Sequence, residues 1–141
     1  MIATHILVGH DGSRDAETAF EDALDLAALA RARLSVVFVA RPPEPPTEVE
    51  TQAAIELATR HYEALFDGLR RQAQERNVTL DTYVLVGHPA DQILKAAARH
   101  GANMIVVGHR GRSAIRDWVS GSTSRRVFNH ATCPLLVVRA R

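Results

Sequence analysis

Short apolar runs rich in β-branched residues alternate with longer amphipathic stretches along this chain, and this alternation limits its fold more than any other feature. The runs occupy residues 6–8, 34–39, 78–86, 104–107 and 134–138. Apolar residues in the intervening stretches recur every three or four positions, as on one helix face. Helices are therefore predicted at 15–31, 48–76, 89–100 and 122–130. The order β-α-β-α-β-α-β-α-β predicts a Rossmann-like α/β fold, a doubly wound parallel sheet of five strands with right-handed crossovers.

Cap and turn residues mark the ends of several predicted elements. Ser13 or Asp15 is expected to cap the first helix, and Pro89 suits the first turn of the third. The third apolar run alternates with polar residues in part, as an edge strand does. Residues 41–46 hold four of the six prolines and are predicted to form an extended loop.

Size and charge favour one domain without a highly charged partner. The 141 residues, 46% of them hydrophobic, suffice for a single domain spanning 1–141. The 17 basic and 16 acidic side chains nearly cancel, so neither nucleic acid nor an acidic membrane surface is expected as a partner. No signal-peptide pattern or membrane-spanning run is present, and the single Cys133 fits a reducing compartment, so a cytoplasmic location is expected.

Two predicted strand ends carry loops that suit a ligand. Asp11 follows the first strand, while Gly108 and Gly111 follow the fourth, and nine residues separate Gly111 from the pair Gly121 and Ser122. Ligands of doubly wound sheets bind beyond the carboxyl ends of the strands, where the strand order reverses. Glycine allows close backbone approach, and amides at a helix start favour a phosphate. Chain turning explains each glycine taken alone, but their combined spacing predicts a phosphate site.

Charged residues in these two loops have both a functional and a structural interpretation. Asp11 can accept hydrogen bonds from ribose hydroxyls or hold Mg²⁺, or it can serve only the turn. Arg110, Arg112 and Arg116 can meet phosphates or form a solvated loop face.

Other reactive or bulky side chains are interpreted as structural. His10 and His109 lie on the two facing loops without a set of Asp, Glu or His at metal-ligand spacing, so no catalytic or metal role is predicted. Trp118 is expected to anchor its loop. Cys133 is expected to be a small buried residue without special reactivity.

The glycine spacing, the helix after it and the run Cys133-Pro134-Leu135 together resemble the ATP-binding branch of the universal stress protein family. Further landmarks follow in that family's order at residues 11–13, 87–93 and 102–108, so the likeness runs along the whole chain.

This resemblance implies an adenine nucleotide alpha hydrolase-like fold with strand order 3-2-1-4-5. It also implies ATP between the loops after strands 1 and 4, and a homodimer paired through the last strand, Leu135 to Val138. Asp11 matches an acidic residue near the ribose and the Mg²⁺-linked phosphates, and the backbone at Val39 matches a position that reads the adenine edge. The phosphate and ribose loop is matched by Gly108, Gly111, Gly121, Ser122 and Thr123.

Four functions compete for such a chain. The favoured one is an adenine-nucleotide-binding regulatory module of the stress response. A slow ATPase or a nucleotidyl or phosphoryl transferase is disfavoured because no Gly-Lys-Ser/Thr follows a glycine loop and no general base is identifiable. A pure interaction protein is disfavoured by Gly111 and Gly121, and a flavoprotein domain of related topology would need a longer chain.

Overall fold

The computed structural model describes residues 3–40, 48–109 and 122–141. In these ranges strands and helices alternate as predicted. The elements are β1 (His5–His10), α1 (Arg14–Ala30), β2 (Arg33–Ala40), α2 (Glu48–Glu75), β3 (Leu80–Val86), α3 (Pro89–His100), β4 (Met104–Gly108), α4 (Ser122–His130) and β5 (Leu135–Val138). The predicted proline loop at 41–46 lies outside the described residues.

The five strands form one parallel sheet in the order β3-β2-β1-β4-β5. This confirms the doubly wound fold, the expected strand order and the edge position of β3. The chain winds from β1 outward through β2 to β3, then crosses to β4 and continues to β5. The order therefore reverses between β1 and β4, and the carboxyl ends of these two strands flank the crevice in which such folds bind ligands.

Apolar clusters cover both faces of the sheet. On one face, Val8, Phe38 and Val106 pack under α1 and α2, while Leu7 and Ile105 on the other face pack under α3. Burial on both sides explains why the central strands read as nearly continuous apolar runs. None of the helices in the described ranges is long and apolar enough to cross a membrane.

The first strand is longer than predicted, and its end determines how α1 begins. β1 includes Gly9 and His10, because His10 still pairs in register with Phe38 of β2. Ser13 is the N-cap of α1, one of the two residues expected there, and its hydroxyl accepts a hydrogen bond from the Ala16 N–H at 3.1 Å. The turn between β1 and α1 is thereby reduced to three residues.

A buried serine–histidine pair lies at the opposite, amino edge of the sheet. Nε2 of His5 is 2.6 Å from Oγ of Ser35, and Nδ1 of His5 is 2.9 Å from the carbonyl oxygen of His100. A carbonyl only accepts, so Nδ1 carries a proton and donates it to the His100 carbonyl. Both side chains are buried and tie the end of α3 to β1, so the pair stabilises the fold rather than facing the crevice.

Candidate functional site

The ends of β1 and β4 lie side by side, as the ligand hypothesis requires. Val8 pairs with Val106 in the parallel register, so the residues that follow each strand leave the same edge of the sheet. The approach to α1 is very close at Gly108. A Cβ placed on Gly108 would lie 2.7 Å from the backbone carbon of Asp15 and 2.9 Å from the nitrogen of Ala16.

Gly108 therefore has a packing role that the motif alone did not reveal. Real Cβ atoms do not approach backbone atoms below 3.0 Å, so a side chain here would force β4 and the first turn of α1 apart. Because Gly108 has no side chain, the end of β4 and the first turn of α1 can lie in direct contact. Contact between Gly108 and a ligand stays a prediction.

Two side chains at the β1–α1 turn accept hydrogen bonds from successive backbone amides. Nδ1 of His10 accepts from the Gly12 N–H at 2.9 Å, and Oδ1 of Asp11 accepts from the Ser13 N–H at 2.9 Å. The Asp11 side chain is 2% exposed. The turn role that competed with ligand contact at Asp11 is thus present, and it holds the carboxylate in one orientation at the crevice.

The two helix starts beside the crevice differ in how they would receive a phosphate. The first turn of α1 carries two carboxylates, Asp15 and Glu17, against one cation, Arg14, and the Ser13 cap already engages an amide. The first turn of α4 contains no acidic residue. A dianionic phosphate is repelled by carboxylates and favoured by the positive end of a helix, so the start of α4 is the better partner.

The predicted phosphate loop is only partly within the described residues. Ser122 and Thr123 are the first two residues of α4. An ion pair of 2.8 Å between Nε of Arg126 and Oδ1 of Asp91 joins this helix to α3. The remaining loop residues singled out from the sequence lie outside the described residues: Gly111, Gly121, Arg110, Arg112, Arg116 and Trp118.

Val39 is the next-to-last residue of β2, at the carboxyl edge of the sheet. The ladder between β1 and β2 ends at the pair His10–Phe38, one residue before Val39, while Val39 still pairs with Leu85 of β3. Its side chain packs on the α3 face and is 5% exposed. This position beyond the end of the β1 ladder is compatible with the predicted backbone contact to a base.

His10 is the residue that the sequence interpretation undervalued. Its ring is fully buried and stacks on Phe38 with ring centroids 4.8 Å apart, and Phe38 in turn lies 4.3 Å from the Tyr62 ring. Burial lowers the pKa of His10 from 6.5 to about 4, although the adjacent Asp11 carboxylate opposes this change. The imidazole is therefore neutral at pH 7.

The buried neutral state of His10 predicts that stability falls in acid. The unfolded histidine takes up a proton near pH 6.5 and the folded one only near pH 4, so the unfolded state binds more protons between these values. The free energy of unfolding should therefore drop by up to about 3 kcal/mol as the pH falls through this range. Chemical denaturation across the range measures the change. His10→Phe, which keeps a ring on Phe38, should lose this component, and an identical acid dependence in both proteins would contradict the assignment.

Metal and thiol chemistry find little support in the described part of the chain. No group of three or more His, Cys, Asp or Glu side chains within it is placed to hold a metal ion. Cys133 is half-buried rather than buried as predicted, because it packs at the margin of the cluster under α3; its partial burial raises the pKa of the thiol, which stays protonated at neutral pH.

The parallel sheet and its reversal of strand order between β1 and β4 define a doubly wound α/β protein. Comparison with known proteins narrows this class. Residues 3–139 match the universal stress protein family model, and universal stress protein YxiE of Bacillus subtilis is 33% identical over 95% of this chain and 97% of its own. The chain belongs to the universal stress protein family.

Solved structures agree with this assignment. Universal stress protein UspA from Lactobacillus plantarum superposes with a TM-score of 0.78 at 28% identity, covering 99% of both chains. A universal stress protein in complex with cAMP has a TM-score of 0.74 at 22% identity, covering all of both chains. One from Archaeoglobus fulgidus in complex with dAMP has a TM-score of 0.62 at 21% identity, covering 98% of this chain and 99% of its own. At these identities the last two show a shared fold.

Proposed function

We propose that this chain is a single-domain, cytoplasmic, ATP-binding regulatory module, with Mg²⁺ carried by the nucleotide. The observation that carries the proposal is the reversal point of the sheet, where the buried Asp11 directly follows β1 and Gly108 ends the neighbouring β4 in close contact with the first turn of α1. Two universal stress proteins of the same fold have been solved with cAMP and dAMP, which supports an adenine nucleotide as the ligand. The motif that spans Gly111 and Gly121 favours ATP, because it adds a loop suited to several phosphates.

The proposed contacts place the nucleoside and the phosphates of the ligand against different elements of the fold. Asp11 and the backbone at Val39 take the ribose and adenine, and the start of α4 takes the phosphates. The acidic first turn of α1 supports this direction, because it would repel phosphates placed at the opposite wall. The phosphate and ribose loop comprises Gly108, Gly111, Gly121, Ser122 and Thr123.

The nucleotide itself is identified by two measurements. Protein purified without added nucleotide is denatured, and the released small molecules are identified by mass spectrometry. Calorimetric titration of stripped protein with MgATP, MgADP, AMP and GTP then ranks the ligands. Tightest binding of MgATP supports the proposal, and equal affinity for MgATP and MgGTP, or binding of neither, overturns it.

Asp11 can be tested with a matched pair of variants. Asp11→Asn keeps an oxygen that accepts from the Ser13 N–H and removes the charge, whereas Asp11→Ala removes both. We expect Asn to weaken MgATP binding about tenfold, since one charge-assisted contact is lost, with little change in stability. Ala should weaken binding at least as much and also lower the free energy of unfolding. Unchanged MgATP affinity in both variants would remove Asp11 from the site.

We also propose that two copies of the chain pair through β5. This strand lies at the edge of the sheet, so its outer backbone groups have no strand partner among the described residues. Val137 on β5 is 43% exposed and Phe128 on the adjacent α4 is 74% exposed. An apolar, unpaired edge strand invites pairing with a second copy.

A charge at Val137 tests this interface better than a charge at Leu136. Leu136 packs against the α1-side core, so altering it would disturb the fold as well. We expect Val137→Asp to convert the dimer to a monomer in analytical ultracentrifugation without loss of helix content. Leu29→Asp, at a leucine that is 85% exposed on α1, is the control and should stay dimeric. A dimeric Val137→Asp variant, or a monomeric wild-type protein, would refute the interface.

A further inference from the structure

His10 holds a hydrogen-bond donor that the described fold does not use. The Gly12 N–H points to Nδ1, which must offer its lone pair, so the proton of the neutral ring resides on Nε2. Nε2 is buried and has no hydrogen-bond partner among the residues that the structure describes. A buried donor without a partner is destabilising and therefore needs an explanation.

The position of His10 relates this donor to the crevice. The residue is the last of β1 and directly precedes Asp11, while its strand partner Phe38 directly precedes Val39. Stacking on Phe38 places the His10 ring on the α1 and α2 face of the sheet, whereas Val39 packs on the α3 face. The two residues therefore flank the end of the sheet from opposite sides.

We propose that the Nε2–H of His10 donates a hydrogen bond to the nucleoside part of the bound nucleotide, at an acceptor on the base or the ribose. The inference rests on the proposed nucleotide site and adds a residue to it. A neutral donor suits an uncharged acceptor, and the first turn of α1, where Asp15 and Glu17 outnumber the single Arg14, is unfavourable for a phosphate on this side. The turn bond from Gly12 fixes the tautomer, so the donor is present before the ligand arrives.

Two amide variants separate the two ring nitrogens. The side-chain nitrogen of glutamine in His10→Gln takes the place of Nε2 and keeps a donor there. In His10→Asn the oxygen takes the place of Nδ1 and accepts from the Gly12 N–H, but the shorter side chain leaves no donor at the position of Nε2. Both lose the ring stacking equally. We expect His10→Gln to bind adenosine within about threefold of the wild type, and His10→Asn to bind about tenfold more weakly, equivalent to about 1.4 kcal/mol.

The same ratio should appear with MgATP, because the contact is made to the nucleoside. A loss confined to MgATP, or equal affinities of the two variants, would overturn the inference while leaving the proposed function intact. Absence of any binding to the wild-type protein would overturn both.

A measurement on the unaltered protein covers the case in which the variants fail to fold. In ¹⁵N-labelled protein, the Nε2–H resonance of His10 should be observable and should shift downfield when adenosine saturates the site. A resonance that does not move on saturation would show that the donor serves a water or the protein itself, and the inference would fail.

Discussion

Replacing Gly108 with alanine should lower the free energy of unfolding by about 2–3 kcal/mol, a large effect for the addition of one methyl group. The new Cβ would lie 2.7 Å from the backbone carbon of Asp15, and backbone in a capped helix start cannot move aside as the end of a flexible side chain can. Relief of the overlap requires α1 to shift away from β4. Chemical denaturation of the wild type and the variant measures the difference.

Gly68 provides the matched control for this prediction. It lies within α2, and a Cβ placed there meets no atom within 4 Å. Gly68→Ala should therefore raise the free energy of unfolding by about 0.5–1 kcal/mol, since alanine favours the helix over glycine. Equal effects of the two substitutions, or a Gly108→Ala variant as stable as the wild type, would show that the contact with α1 is not tight in solution.

Gly121→Val should reduce MgATP affinity by at least about a hundredfold, or about 2.8 kcal/mol. In the proposed site, Gly121 brings backbone to the phosphates just before the first turn of α4, and a branched side chain would block that approach. Calorimetric titration with MgATP measures the loss, and thermal unfolding without nucleotide should stay cooperative.

Gly68→Val carries the same substitution on α2, away from the crevice, and should bind MgATP as the wild type does. If Gly121→Val binds MgATP with unchanged affinity, the phosphate loop is wrongly assigned. If both variants lose affinity, the effect comes from general destabilisation.

The fold was largely predictable because the alternation of apolar runs and amphipathic stretches leaves few topologies. Burial on both faces makes a central strand such as β2 apolar over almost its whole length, and this pattern is local in sequence. The end of β1 was misjudged because Gly9 and His10 read as turn residues. Their strand conformation depends on pairing with β2, which sequence periodicity does not report.

The site was less predictable, because its important contacts join distant parts of the chain. The glycine at 108 was recognised as permissive, but its packing against Asp15 needed the neighbouring placement of β4 and α1. From the sequence, no functional role was predicted for His10, because no set of Asp, Glu or His lies at metal-ligand spacing from it. Its burial, its stacking on Phe38 and its unused Nε2 come from the folded structure, and only its place at a strand end beside Asp11 was visible in the sequence.

The pattern of burial along the long helix α2 divides it into two parts that should differ in local stability. The buried residues of its second half, Phe66, Leu69 and Ala73, anchor it to the sheet, whereas no residue from 48 to 65 is buried. We therefore expect amide hydrogens of the second half to exchange mainly through global unfolding, and those of the first half through local fraying that costs far less free energy. The first half of α2 can therefore melt and reform while the sheet and the crevice stay intact.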